Sequence, residues 1–176
     1  MKSTLDPSKI DTPAFVIEED LLRHNLDVLR HVANKTGAVV LHALKAWATW
    51  QLFPIVKEYL NGAEVSSLNE ARLGREGFGP NVHMYAPAYK QEEFDDVMKN
   101  CSHIIFNSFS QLRQFKNQVG KYKEHISVGL RINPEISTKE KHDAWNPCAP
   151  DSRLGIRMDE FNQELAENPN ALDGVE

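Results

Sequence analysis

Ala63-Glu64-Val65-Ser66-Ser67-Leu68-Asn69-Glu70-Ala71-Arg72-Leu73-Gly74 carries one complete passage from strand to helix. Alternation places Glu64 and Ser66 on one face of a strand, Val65 and Ser67 on the other. Ser67-x-x-Glu70 then reads as a capping box, in which a hydroxyl and a carboxylate satisfy backbone donors at a helix start. The same order recurs downstream. A strand-like run begins at His103, Ser108-x-x-Gln111 supplies a second box, and Leu112, Phe115 and Val119 follow at helical spacing.

Outward from these two units the rhythm continues. Strand-like runs begin near Val39, Ala63, Val82, His103 and Ile126, roughly 19 to 24 residues apart. Helical patterns lie between them: Leu52, Phe53, Val56, Tyr59 and Leu60 in one, Phe94, Val97, Met98 and Cys101 in another. Gly62, Gly77, Gly79 and Gly120 sit where helices should stop. Pro54 must fall near the first turn of its helix or kink it. Before the series come a short expected strand, Pro13 to Ile17, and a helical stripe of Leu22, Leu26, Leu29 and Ala33.

A βα repeat of this period belongs to parallel α/β folds, because a crossover helix must return the chain before the next parallel strand. A barrel and a doubly wound sheet are the candidates. No G-x-G-x-x-G follows the first strand, which disfavours the dinucleotide-binding version. A (β/α)8 barrel usually takes about 250 residues, and this chain has 176. We count five βα units and expect a clipped sixth strand from Ala171 to Glu176. The connection from Asn133 to Arg153 has no clear period. On a barrel it would follow the fifth strand, at the active-site face.

Composition narrows the function classes. Hydrophobic residues make up 41% and charged residues 26%, near the globular average. The net charge of −5, without a Lys/Arg run, argues against nucleic-acid binding. Its mild acidity suits a cationic substrate, as it would many cytosolic proteins. The N-terminus lacks an apolar signal region, and the longest apolar stretch, Gly37 to Val56, is interrupted by His42 and Lys45. Neither a leader nor a membrane association is expected. Cys101 and Cys148 have no Cys/His partners at ligand spacing, so no metal site is expected and a reducing cytoplasm fits.

Lys45 is the sharpest chemical feature. Alternation through Val39-Val40-Leu41-His42-Ala43-Leu44-Lys45-Ala46 puts it on a face with Val39, Leu41 and Ala43. A lysine pointing inward from an apolar strand end is costly unless paired or neutral, and desolvation pushes it toward a nucleophilic amine that condenses with aldehydes. By pattern alone, a lysine snorkelling to solvent remains the alternative.

The segments Ala43-Leu44-Lys45-Ala46, Ser66 to Gly74, Tyr85-Ala86-Pro87-Ala88-Tyr89-Lys90, Ile104 to Leu112, Gly129-Leu130-Arg131-Ile132-Asn133-Pro134, Asn146-Pro147-Cys148-Ala149-Pro150 and Ser152-Arg153-Leu154-Gly155 occur in one order along the chain. Together they resemble the carboxynorspermidine (carboxyspermidine) decarboxylases, pyridoxal-phosphate (PLP) enzymes of the alanine-racemase-like fold. Any one segment is weak; the set favours this family over ornithine or diaminopimelate decarboxylases.

The resemblance implies an incomplete PLP-binding (β/α)8 TIM barrel. Residues 1–35 would form a lead-in strand and helix, and residues 36–176 the first part of the barrel. It implies that Lys45 is the catalytic lysine and holds PLP as a Schiff base, and that Arg131 lies near the cofactor ring. Glu64 would stand at an acidic position able to pair with Lys45 once that lysine is released as ammonium. An ordinary salt bridge remains the alternative for Arg131, and a solvated strand-end carboxylate for Glu64. The family's phosphate loop, pyridine-nitrogen acid, ring-stacking histidine, catalytic cysteine and C-terminal β domain lie later in its members, and the expected strand from Ala14 to Ile17 would contribute to that β domain. The resemblance further implies a small polyamine-type substrate, a head-to-tail homodimer and a cytoplasmic enzyme. Its rivals are a non-catalytic PLP-binding regulator, a related amino-acid decarboxylase and a PLP-free lyase using Lys45. His42, His83 and His103 read as structural, Trp47, Trp50 and Phe53 as packing residues, and Cys148 as held by a rigid loop.

Overall fold

The computed structural model describes Ser3, residues 5–137 and residues 146–176. Helix α1 (Glu19–Thr36) leads into a series of strands and helices: β1 (His42–Ala43), α2 (Phe53–Val56), β2 (Ala63–Val65), α3 (Leu68–Phe78), β3 (Val82–Tyr85), α4 (Phe94–Asn100), β4 (His103–Phe106), α5 (Phe109–Gly120) and β5 (Ser127–Leu130). Then come β6 (Ile132–Asn133), β7 (Ile156–Arg157) and α6 (Met158–Glu167).

Strands β1 to β5 are all parallel and neighbour one another in chain order. A doubly wound sheet reverses its strand order at a switch point. This sheet steps in one direction throughout, as the wall of a barrel does. The register pairs Ala63 with His42 and Val82, then His83 with His103, and His103 with Ser127.

Burial alternates with the pleat because helices cover one face only. Ala63, Val65, Val82, Met84, Ile104, Phe106 and Val128 are buried beneath α3, α4 and α5. The helices answer with Phe94, Val97, Met98, Leu112 and Phe115, and the Phe94 and Phe115 rings stack at 4.0 Å. Both capping boxes form. Ser67 Oγ accepts from Glu70 N–H, and Ser108 Oγ accepts from Gln111 N–H. The return bonds reach one residue further back than the N-cap: Ser66 N–H donates to Glu70, and Asn107 N–H to Gln111. Pro54 lies in the first turn of α2, and Gly79, with φ +90°, ends α3. Gly77 does not end a helix. It lies inside α3, where a Cβ would overlap the Phe53 ring.

Two expectations need correction. Residues 13–17 form no ladder, and Phe15 is wholly exposed. An apolar extended segment becomes a strand only when neighbouring backbone meets it, and none does here. The expected sixth strand over Ala171–Glu176 is mostly turn. Ala171, Asp173 and Val175 donate to Asn168, Asn170 and Leu172, so local bonds absorb the backbone; only Glu176 N–H reaches Val128 O beside β5. Parallel pairing after β5 occurs instead between β6 and β7, followed by α6.

The centre of the Asn133–Arg153 connection, residues 138–145, lies outside the described residues. Its two ends are tied by buried amides. Asn133 Nδ2 donates to Ala149 O, its Oδ1 accepts from Glu135 N–H, and Asn146 Oδ1 accepts from Cys148 N–H.

Candidate active site

The face of the sheet turned away from the helices carries Ala43, Glu64, Ser66, His83, Tyr85, His103, Ile105, Asn107, Gly129 and Arg131, all half-buried. The chemistry gathers at the C-terminal ends of the strands.

Lys45 lies in the turn just past β1. Its Nζ is 3.2 Å from each Glu64 carboxylate oxygen, and its side chain is 56% exposed. Ser66 Oγ stands 3.5 Å from Glu64 Oε1. The expectation of an apolar, desolvating face around Lys45 is therefore corrected. The adjacent strand supplies a carboxylate and a hydroxyl, and Val39 is 61% exposed. A carboxylate in contact, not burial, meets the lysine's charge. The expected pairing of Glu64 with Lys45 is present, while Glu70 stays in its cap.

Arg131 sits between the end of β5 and the start of β6, where pairing with β4 gives way to pairing with β7. Its N–H donates to Phe106 O, and its carbonyl accepts from Ile156 N–H. Its guanidinium carbon lies 4.6 Å from the Tyr85 ring centroid, a cation–π contact. Tyr85 O–H donates to Asn107 Oδ1 at 2.7 Å. Burial raises the phenol's pKa, and the neighbouring Arg131 charge opposes that rise. Asn107 Oδ1 also accepts from Gly155 N–H at 2.7 Å, and Asn107 Nδ2 donates to Arg153 O. Sequence reasoning missed Tyr85 and Asn107 as site residues. Both lie within segments that carry the family resemblance, and Asn107 directly precedes a helix cap; neither position by itself indicates a long-range contact.

His42, His83 and His103 each make ring contacts. His42 lies among Trp47, Phe53 and Phe78, and burial lowers its pKa. His83 and His103 stack at 3.6 Å. Burial, and secondarily His103, push His83 down to about 4. Phe53 is buried, whereas Trp50 is 59% exposed on the helix side, away from Lys45's face. Among the described residues there is no cluster suited to a metal ion, and no helix is long and apolar enough to cross a membrane.

This donor set fits one end of PLP. A primary amine at an open strand end can meet an aldehyde, with a carboxylate in contact to hold the amine's charge. A fixed guanidinium on the same face suits an anionic ring oxygen.

No family model matches the chain. A carboxynorspermidine/carboxyspermidine decarboxylase of Campylobacter jejuni is 42% identical over 168 residues, covering 95% of this chain and 42% of that protein. A carboxyaminopropylagmatine decarboxylase of Synechocystis is 39% identical over 150 residues, covering 85% of this chain and 38% of that protein. The chain thus spans about two fifths of the length of these relatives. Among solved structures, carboxynorspermidine decarboxylase from Campylobacter jejuni, complexed with norspermidine, aligns with a TM-score of 0.77 and 36% identity, over 95% of this chain and 40% of that one. Diaminopimelate decarboxylase from Helicobacter pylori aligns with a TM-score of 0.75 over 96% of this chain and 43% of that one; at 18% identity this likeness shows the fold alone. The fold is that of the alanine-racemase-like decarboxylases. The chain is a homologue, over nearly its whole length, of part of the carboxynorspermidine/carboxyspermidine decarboxylases.

Proposed function

We propose, from that homology, that the protein carrying this chain is a PLP-dependent carboxy-lyase of polyamine biosynthesis. It acts on carboxynorspermidine or carboxyspermidine and releases norspermidine or spermidine. The observation that carries the site assignment is the Lys45–Glu64 ion pair at the C-terminal edge of a parallel sheet.

PLP, when bound, supplies the electron sink for the carbon that loses CO₂. Lys45 is the residue that would hold it, through Nζ. With Nζ free of the cofactor, Lys45 would carry an ammonium charge, its proton coming from the incoming substrate's own ammonium group. Glu64 is already in position to hold the resulting ammonium, and Ser66 steadies Glu64 Oε1. Arg131 offers a charge that its own backbone bonds and the Tyr85 ring keep in place.

A cytoplasmic location and a homodimer belong to the same reading. Cys101 and Cys148 are unbridged, in keeping with a reducing compartment.

Two measurements test the proposal on the complete protein. Borohydride reduction in the presence of PLP, followed by peptide mass spectrometry, should place the label on Lys45, and Lys45→Ala should abolish it. A label on another lysine removes the assignment. CO₂ release should be far faster from carboxynorspermidine or carboxyspermidine than from carboxyaminopropylagmatine, ornithine or meso-diaminopimelate. Preference for any of the last three would replace the substrate while leaving Lys45 untouched.

A further inference from the structure

Arg131 is held by more than its backbone. Tyr85 provides one contact, its ring centroid 4.6 Å from the guanidinium carbon. Gly155 provides another. A Cβ there would come within 3.2 Å of Arg131 Cγ and 2.8 Å of Asn133 N, and the residue's φ of +85° already favours glycine. The chain therefore approaches the arginine's aliphatic stem closely at 155.

The Tyr85 phenol and the Gly155 N–H converge on a single atom, Asn107 Oδ1, each at 2.7 Å. Asn107 Nδ2 is spent on Arg153 O at 2.9 Å, which fixes which way round the amide lies. One half-buried amide thus ties β3, through Tyr85, to the turn before β7. Both tethered groups touch Arg131.

We propose that Asn107 is a positioning residue that fixes the Arg131 side chain by joining Tyr85 to the 153–155 turn. Asn107 itself need not touch cofactor or substrate; it acts through the two contacts it joins. The inference deepens the reading of Arg131 as a cofactor residue and rests on it for its functional meaning. Asn107 is the residue suited to this task because it offers an acceptor with two lone pairs and a donor on one short side chain. Aspartate keeps the acceptor but sets a second oxygen against Arg153 O. Leucine keeps the size and loses all three bonds.

The test is a double-mutant cycle in the holoenzyme, with Asn107→Leu and Arg131→Met made singly and together. The first readout is PLP affinity, followed by fluorescence of the cofactor during dissociation, with kcat/KM beside it. Asn107→Leu should weaken PLP binding about tenfold when Arg131 is present. With Arg131→Met it should have an effect within about twofold of none. Tyr85→Phe, which removes only the phenol bond, should give a smaller loss of the same kind and guards against a misfolded Asn107 variant. An equal loss in both Arg131 backgrounds, or no loss in either, overturns the inference.

If Arg131→Met leaves PLP affinity unchanged, the cofactor reading of Arg131 fails by itself. The melting temperatures of the same four proteins then decide the Asn107 inference. Non-additive shifts sustain it as a structural positioning role, and additive shifts overturn it.

Discussion

A single histidine gives the clearest pH signature in the chain. His83 Nε2–H donates to Asn81 Oδ1, 2.8 Å away, and the ring stacks on His103. Burial, and then the neighbouring imidazole, hold its pKa near 4 against an ordinary 6.5. Between those values the unfolded chain binds a proton that the folded chain does not, so stability rises with pH across the window. Acidification from pH 7 should therefore cost stability progressively down to about pH 4, and no further on account of this group. Thermal melts of the complete protein and of His83→Gln should converge in their pH dependence only if His83 is irrelevant; we expect the wild type to lose more on acidification. At this scale the sequence was partly legible. Lys45 and Glu64 stand where family motif and strand alternation indicate, and they meet. The solvent-open setting of Lys45 was not legible, because its neighbours come from another strand. Asn107 and Tyr85 stayed hidden for the same reason. A bond between residues 22 positions apart leaves no local pattern.

Helix starts are where local sequence and tertiary structure agree most closely. Ser67 and Ser108 each accept from the N–H three residues on, and Glu70 and Gln111 each reach back to the residue before the cap. Ser67→Ala and Ser108→Ala should each cost about 1 kcal/mol, the usual worth of an N-cap hydroxyl. Urea midpoints should fall with unchanged slopes, since the surface exposed on unfolding stays the same. Glu70→Ala should differ in kind. It strips the acceptor from Ser66 N–H, directly beside Glu64, and so should lower PLP affinity as well as stability. A stability loss with unaltered affinity would confine Glu70 to its cap. These boxes, with period-two and helical spacing, made β2 to β5 and α3 to α5 readable with starts accurate to about a residue. The failures share one cause. Residues 13–17 have strand composition but no partner, and residues 171–174 close their bonds as turns. Strand identity depends on a second segment, which composition cannot supply.

The whole chain presents a sheet finished on one side only. Helices bury one face, while Glu64, Tyr85, Asn107 and Arg131 lie half-exposed on the other. Among the described residues β1 pairs with β2 alone, leaving its far edge of N–H and C=O groups without a strand. Phe15, Val16 and Ile17 are exposed beside no ladder, and Val28, Leu29 and Val32 are exposed on α1. Open parallel edges and contiguous apolar surface are both templates for association. The net charge of −5 opposes that association only weakly at physiological salt. These 176 residues expressed by themselves should therefore self-associate in a concentration-dependent way and release no CO₂ from carboxynorspermidine. The lysine, its carboxylate and the guanidinium would all be present, yet the face that carries them would stay open to water. Electrostatic positioning is worth far less in a hydrated site than in a closed one. Light scattering after size exclusion, with a CO₂-release assay on each fraction, makes the comparison. A compact monomer with turnover would mean that this face closes on itself, and that the open sheet is not what limits the chain.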